Sequence, residues 1–534
     1  MDRQEGDPFY ISTAIPYVNA RPHVGFAFEA VLADAVARYQ RARGRDVFFL
    51  TGTDDNSLKN VEAAEQRGIP TEQLVAENAE RFRQLREALG LSFDDFIRTS
   101  KDGRHFAAVD KMWKACAASG DIYEGQYRGL YCVDCEQFYE PDELVDGLCP
   151  VHLRPLEEVN EKNWFFRLSR YQGTLTELIE SGELRILPET RRAEILSFVR
   201  SGLQDISISR ARERSRGWGL PVPEDQTQVV YVWFDALTNY ISALDYASEG
   251  SLYRSYWNGN PNRVHVIGKG ILRFHAAYWP SMLLSAGVPL PSTIFVHGYL
   301  TTGGRKISKS LGGGADPEEL SRDFGVDVLR YYLLSQFHPA GDGDFSVEQL
   351  RTVHDNELAD QLGNLVSRVG SMIRRYFDGR VPVPGEAAPE DEALLKSADG
   401  LLQAVDAAMD AFEIDRAVRR IWEVVREANR YVVEREPWTL ARDPTGDVRR
   451  RLSTILYNLA EAIRIVAIFS SPIIPSKAAE IAATFSLGNG WNRLSERTTR
   501  WGVTEPGARV EAAGALFPKE QVAQDHGGGP AADV

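Results

Sequence analysis

Strand, helix and strand follow one another within the first fifty residues, and that order limits the fold of this chain more than any other feature. Phe9-Tyr10-Ile11-Ser12-Thr13-Ala14 is β-branched and aromatic, and a turn bracketed by Pro16 and Pro22 follows before helical periodicity begins near Gly25. Phe28, Val31, Leu32, Ala35, Val36 and Tyr39 share one helix face, and Gly44 supplies a stop. Val47-Phe48-Phe49-Leu50-Thr51-Gly52 is apolar without alternation, as expected of a strand covered on both faces of a parallel sheet. These segments predict a βαβ unit, and sheets built from such units bind ligands outside the carboxyl ends of their strands.

The α/β texture breaks from about Ser119 to Val222, which reads as an insertion. It returns with strand-like Val229-Val230-Tyr231-Val232-Trp233, Val264-His265-Val266-Ile267-Gly268 and Thr293-Ile294-Phe295-Val296-His297. The expected fold is α/β, with a split Rossmann-like parallel sheet. From about Thr352 three apolar stripes at helical spacing follow: Leu358 to Ile373, Ile414 to Val425 and Leu452 to Val466. They predict a helix bundle of roughly 150 residues. The expected divisions are 8–118 and 223–300 for the two halves of the sheet, 119–222 for the insertion, 301–350 for a following segment, 351–510 for the bundle and 511–534 for a disordered tail.

The 534 residues carry a formal net charge of -15, which excludes RNA or DNA binding by bulk positive charge and leaves room only for local basic patches. The apolar stretches 463–468 and 469–474 are broken by Arg464, Ser470, Ser471 and Pro472, short of the ~18–20 residues of a membrane span. No membrane association is expected. The acidic start has neither a basic nor an apolar leader region, so a cytoplasmic protein is expected.

Four cysteines are far too few for a disulfide scaffold of this length. Three of them belong to Cys132-x2-Cys135-x13-Cys149-x2-His152. Three thiolates and an imidazole in two close pairs have the spacing of one structural tetrahedral Zn2+ site. Cys116, in a helical stretch, reads as a buried thiol.

Two further groups carry phosphate chemistry. His23-Val24-Gly25-Phe26 opens the first helix, where unpaired N–H groups and the dipole favour an anion; His23 can donate to phosphate oxygens and Gly25 permits close approach. Lys306 and Lys309 lie three apart in the glycine-flanked run Gly303 to Gly312. Two ammonium groups there can neutralise the charge that develops on a pyrophosphate leaving group.

Together, His23-Val24-Gly25-Phe26 and Lys306-Ile307-Ser308-Lys309-Ser310 resemble the HIGH and KMSKS signatures of the class I aminoacyl-tRNA synthetases. Within that class the chain resembles the methionyl-tRNA synthetase family in Ala14 to Asn19, Thr51-Gly52-Thr53-Asp54, Trp218-Gly219-Leu220-Pro221, Val232 to Leu237, Ile267-Gly268-Lys269, Phe274-His275, Tyr278-Trp279-Pro280, Leu362 to Val366 and Arg435-Glu436-Pro437-Trp438. The resemblance spans about Phe9 to Phe485. It implies an ATP- and Mg2+-dependent enzyme that activates L-methionine and charges tRNA(Met), expected to be a monomer. His23, Lys306 and Lys309 would be catalytic, with Gly25 joining them at ATP. Ile15, Tyr17, Trp233, Tyr240 and His275 would line the methionine side chain, and Asp54 would meet its ammonium. Asn364, Arg368 and Trp438 in the bundle would read the anticodon, by the edge contacts and stacking that suit unpaired bases.

Three positions depart from the family pattern: Phe26 for the second signature histidine, Asn56 for another histidine, and Gly270 for an aspartate after Gly268-Lys269. Losing one charge-assisted bond at Phe26, worth about 1.5–3 kcal/mol, would slow adenylate formation roughly 10- to 150-fold if nothing replaced it. Three readings therefore stand. One is a methionyl-tRNA synthetase. The second is an ATP-dependent ligase that joins an activated amino acid to a small hydroxyl or hydroxylamine acceptor. The third is a catalytically impaired protein that binds tRNA.

Overall fold

The computed structural model describes residues 6–132, 137–139, 143–150, 153–303, 305–306, 316–442 and 445–519. A six-stranded sheet lies at its centre: β1 (Pro8–Thr13), β2 (Asp46–Thr53), β3 (Asp95–Arg98), β4 (Arg185–Leu187), β5 (Arg263–Gly268) and β6 (Thr293–His297), in the order β3-β2-β1-β5-β6-β4. Every neighbouring pair is parallel, with Ser12 opposite Leu50 on one side of β1 and Thr13 opposite Val266 on the other. Strand order reverses at β1, so a crevice opens between the carboxyl ends of β1 and β5.

Alternation along the strands divides the interior. Phe9 and Ile11 of β1, Val264 and Val266 of β5 and Phe295 of β6 face one core with α1 (Val24–Ala42), while Tyr10, Ile267, Ile294 and Val296 face another. That second core is filled by α2 (Gly103–Ala118) and α3 (Val232–Ser242). The first core runs without a break past α1 into α4 (Val326–Ser335), α5 (Asn364–Tyr376), α6 (Ile414–Arg435), α7 (Gly446–Ser470) and α8 (Pro475–Thr484). By length and composition α7 could cross a membrane, yet 94% of its most apolar stretch is buried within the protein. It is the central helix of a bundle.

The structure departs from the sequence reading at three places. Val229 and Val230 end an antiparallel strand, Asp225–Val230, paired with Ser209–Ala211 outside the central sheet, and Val232 and Trp233 already lie in α3. A run of β-branched residues cannot distinguish a strand from a buried helix start. β4 comes from within the stretch read as an insertion and forms an edge of the central sheet, three residues being too short to show a pattern. Leu516 and Phe517, in the tail expected to be disordered from 511, are buried against the bundle, while 520–534 lie outside the described residues. Within 119–222, the long antiparallel pair Ile122–Cys132 and Glu157–Phe166 forms the body of a separate four-stranded sheet.

Candidate active site

The turn after β1 ends at His23, the N-cap of α1, whose extended backbone brings its Nδ1 back to accept the Gly25 N–H at 3.1 Å. A ring nitrogen that accepts carries no proton, so the neutral ring holds its proton on Nε2 and presents a donor there. Gly25 is required for this fold-back, since a Cβ at that position would sit 2.8 Å from His23 Cε1. Phe26 lies against the imidazole with ring centres 4.4 Å apart and packs edge-on to Phe82 at 5.3 Å. The residue that lacks the second signature histidine's donor thus supports the first histidine by contact.

Across the crevice, the aromatic residues converge. Trp233, in the first turn of α3, stacks on Phe274 at 3.7 Å and meets Tyr17 and His275 edge-on at 6.4 and 6.3 Å. Phe274 and His275 stand in a widened, π-type turn, Phe274–Tyr278, a local distortion common at functional sites. His275 Nδ1 faces the Ile271 carbonyl at 2.9 Å, so it holds the ring proton and Nε2 accepts from the Tyr240 hydroxyl at 2.7 Å. Burial pushes His275 down to about 4, so the pocket wall stays uncharged at neutral pH. The neighbouring His265, also fully buried, is lowered by burial and by His275. Ile15 is half-buried in the loop that carries Tyr17. Asp54, 2% exposed, pairs through its backbone with the Tyr17 loop and accepts the Asn56 N–H at 3.1 Å.

Sequence reasoning missed the support beneath these residues. The Asn56 amide donates to Asp235 Oδ2 at 2.7 Å, the other oxygen of Asp235 meets His105 Nε2, and His105 Nδ1 meets Ser242. Asp235 and His105 are fully buried, so the amide at 56 provides the donor that an uncharged partner must give a buried carboxylate. Asp235 stood in a quoted motif, whereas nothing local marked His105. Gly270 is likewise answered from a distance: its N–H donates to the Tyr299 hydroxyl at 2.8 Å. Arg210 stacks on Tyr231 at 4.1 Å, and with Arg214 it lines a small cavity beside Asn56 and Trp218.

Lys306 forms part of a two-residue strand paired with Thr301, and Lys309 lies outside the described residues. Cys132 and Cys149 are buried together with Tyr139, against Leu144 and Leu156. Two soft sulfur donors enclosed by apolar side chains suit a structural zinc. Cys135 and His152 lie outside the described residues, among which no group of three or more His, Cys, Asp or Glu could hold a metal ion. The thiol of Cys116 is buried in the second core and raised to about 12 by burial, as an inert packing group requires.

Some distance along the chain, Asn364 and Arg368 stand one turn apart on the exposed side of α5. The Arg368 guanidinium lies 5.6 Å from the centre of the half-buried Trp438 ring, which follows Pro437. A flat cation, an amide and an indole thus share one face. The widened turns His354–Gly363 lead directly into α5.

A family model described as tRNA synthetases class I (M) matches residues 9–158 and 154–370, and one described as the anticodon binding domain of methionyl tRNA ligase matches 381–526. The methionine--tRNA ligase of Mycobacterium tuberculosis is 42% identical over 522 residues, covering 97% of this chain and 99% of that protein. That of Brucella suis biovar 1 is 44% identical over 480 residues, covering 89% and 91%. The structure of Mycobacterium tuberculosis methionyl-tRNA synthetase in complex with methionyl-adenylate superposes with a TM-score of 0.91 at 42% identity, over 96% of this chain and all of that one.

Proposed function

The chain belongs to the methionyl-tRNA synthetase family of class I, and from that premise we propose how its own residues carry out the reaction. The enzyme activates L-methionine with ATP and transfers it to tRNA(Met). The observation that supports the assignment of roles is that the His23 cap follows the carboxyl end of β1, while Tyr17 of the same turn joins Trp233, Tyr240 and His275 in one aromatic cluster.

In the first step a methionine carboxylate oxygen attacks the α-phosphorus of ATP and pyrophosphate leaves; in the second the terminal ribose hydroxyl of tRNA attacks the adenylate carbonyl and AMP leaves. His23 Nε2–H and the amino end of α1 hold phosphate oxygens, with Gly25 leaving room. Lys306 and Lys309 neutralise the departing pyrophosphate, and Mg2+ enters with ATP as its counter-ion. The carboxylate of Asp54 receives the α-ammonium, which needs an anionic partner once buried. The uncharged His275, with Ile15, Tyr17, Trp233 and Tyr240, suits a thioether that prefers apolar and aromatic surroundings. Asn364, Arg368 and Trp438 receive the anticodon. Cys132, Cys135, Cys149 and His152 would hold one zinc, which would supply a structural cross-link there. The protein acts as a cytoplasmic monomer.

The small-acceptor reading loses its support at the bundle, since the anticodon-binding family model matches there and a small acceptor has no use for Arg368 beside Trp438. The binding-only reading is weakened by Asn56, whose donor is engaged with Asp235. Exchange of labelled pyrophosphate into ATP, tried with each of the twenty amino acids and followed by tRNA charging, tests the assignment. Methionine alone is expected to drive exchange, and tRNA(Met) to accept the product. Exchange without charging would return the small-acceptor ligase to the front.

A further inference from the structure

Gly270 stands at the carboxyl end of β5, where the family pattern has an aspartate, and the space beside it is already filled. A Cβ built at Gly270 would lie 2.1 Å from the Tyr299 hydroxyl oxygen, and one at Gly268 would lie 3.3 Å from the Tyr299 ring. The Gly270 N–H donates to that oxygen at 2.8 Å. Between these glycines, the Lys269 ammonium lies 5.0 Å from the centre of the Tyr299 ring and 2.6 Å from Asp342 Oδ2. Asp342 closes the loop by accepting the Tyr299 N–H on its other oxygen at 2.8 Å. One tyrosine therefore touches all three residues of the Gly268-Lys269-Gly270 turn and the carboxylate that neutralises its lysine.

We propose that Tyr299 is a positioning residue for methionine activation, its hydroxyl taking the place of the side chain at 270 and fixing the Gly268–Gly270 turn and Lys269 at the crevice. Resting on the assignment of the crevice as the activation site, this adds a residue to it that no local signature marks. Three consequences of the chemistry support it. Burial raises the Tyr299 hydroxyl above its ordinary value, so it stays protonated and neutral through the working range. Burial would also raise Asp342, but its bonds to Lys269 and to the Tyr299 N–H outweigh that and hold the carboxyl below its usual range. Tyr299 also lies between the end of β6 and the strand Leu300–Thr302, which pairs with Arg305–Lys306, so it joins the turn after β5 to the hairpin that carries Lys306. A carboxylate at 270 could order the turn but not reach the hairpin backbone in this way; the tyrosine belongs to both.

The test is pyrophosphate exchange kinetics on four full-length proteins: wild type, Tyr299→Phe, Gly270→Asp and the double variant. Tyr299→Phe keeps the ring against Lys269 and removes only the hydroxyl. It is expected to lower kcat about tenfold, the effect of one lost hydrogen bond, while the KM for methionine stays within about twofold. Gly270→Asp collides with the hydroxyl and is expected to lose about a hundredfold or more, a clash costing more than one bond. Adding Tyr299→Phe to Gly270→Asp should raise activity well above that of Gly270→Asp alone, because the hydroxyl and the side chain at 270 compete for one space. Full activity of Tyr299→Phe, or a double variant whose loss is the product of the two single losses, would overturn the proposal. Melting curves separate misfolding from misplacement, and the phenylalanine variant, differing by one oxygen, stays informative if the aspartate variant does not fold. Absence of methionine-dependent exchange in the wild type would count against the crevice assignment rather than against Tyr299.

Discussion

At the scale of single residues, the site works by keeping some groups uncharged and holding others by their neighbours. His275 is the clearest case, since a protonated imidazole facing a thioether would need a counter-charge that the Tyr240 hydroxyl does not supply. Burial lowers it from 6.5 to about 4. The folded protein therefore resists a proton that the unfolded chain accepts, and the stabilisation is fully present above pH 6.5 and lost as pH falls toward 4, roughly 3 kcal/mol for this one group. His265, lowered in the same direction, adds to it. Urea unfolding between pH 7.5 and 4.5 is expected to show stability falling steeply below 6.5, and His275→Gln should flatten the fall by about 1.4 kcal/mol per pH unit. An unchanged slope in that variant would mean that His275 is charged in the folded state. The three departures from the family pattern also belong to this scale. Phe26 exchanges a donor for a packing contact with His23, Asn56 keeps a donor, and Gly270 hands its space to Tyr299.

Among the elements, α1 does the most. Its apolar face closes one side of the sheet, its cap holds His23, and its carboxyl-terminal half meets the bundle, where Arg43 reaches Asp406 and the Leu494 carbonyl. Gly25 is a helical position filled for space rather than for flexibility. Alanine there would favour the helix by about 0.5–1 kcal/mol, but its methyl group would press on the His23 ring at 2.8 Å. Gly25→Ala is therefore expected to leave the melting temperature unchanged or slightly raised while lowering the exchange rate about ten- to a hundredfold, as one misaligned phosphate donor would. Loss of stability and activity together would point to a helix defect, and retained activity would show that His23 can act from another position. The insertion shows a different economy: a long antiparallel pair ends at Cys132, leaving the small apolar cluster with Cys149 to order its tip.

For the molecule as a whole, the decisive contact is the fully buried guanidinium of Arg330. It pairs with Asp34 of α1 at 2.7 Å and donates to the carbonyls of Leu89, Pro472 and Ile473, joining α1 and the end of the helix Thr71–Ala88 to α4 and the turn between α7 and α8. Burial would raise Asp34, but Arg330 and Arg38 hold it below its ordinary value. Removing the guanidinium takes the donor from three carbonyls and leaves the buried Asp34 with Arg38 and Ser92 alone, at a cost of about 3–5 kcal/mol. Arg330→Ala should therefore lower the stability by that amount and separate the unfolding of the bundle from that of the sheet, visible as two transitions where one is expected for wild type; a single transition shifted by less than about 1 kcal/mol would deny Arg330 that role. Such a contact was not legible in the sequence, because its partners lie as far apart as 34, 89 and 473 along the chain. What the sequence did determine by itself was everything set by short-range periodicity and chemistry: the βαβ start, the three helical stripes and the His23-to-Phe26 cap. Hydrophobic pattern and hydrogen-bond chemistry act within a few residues, so they can be read in order along the chain. Only the tertiary structure decided that Val229 and Val230 leave the central sheet, that Arg185–Leu187 enters it, that Asn56 rests on Asp235 and His105, and that Tyr299 fills the place beside Gly270. Each of those depends on which distant groups share a volume, and that is fixed by the packing of the whole chain.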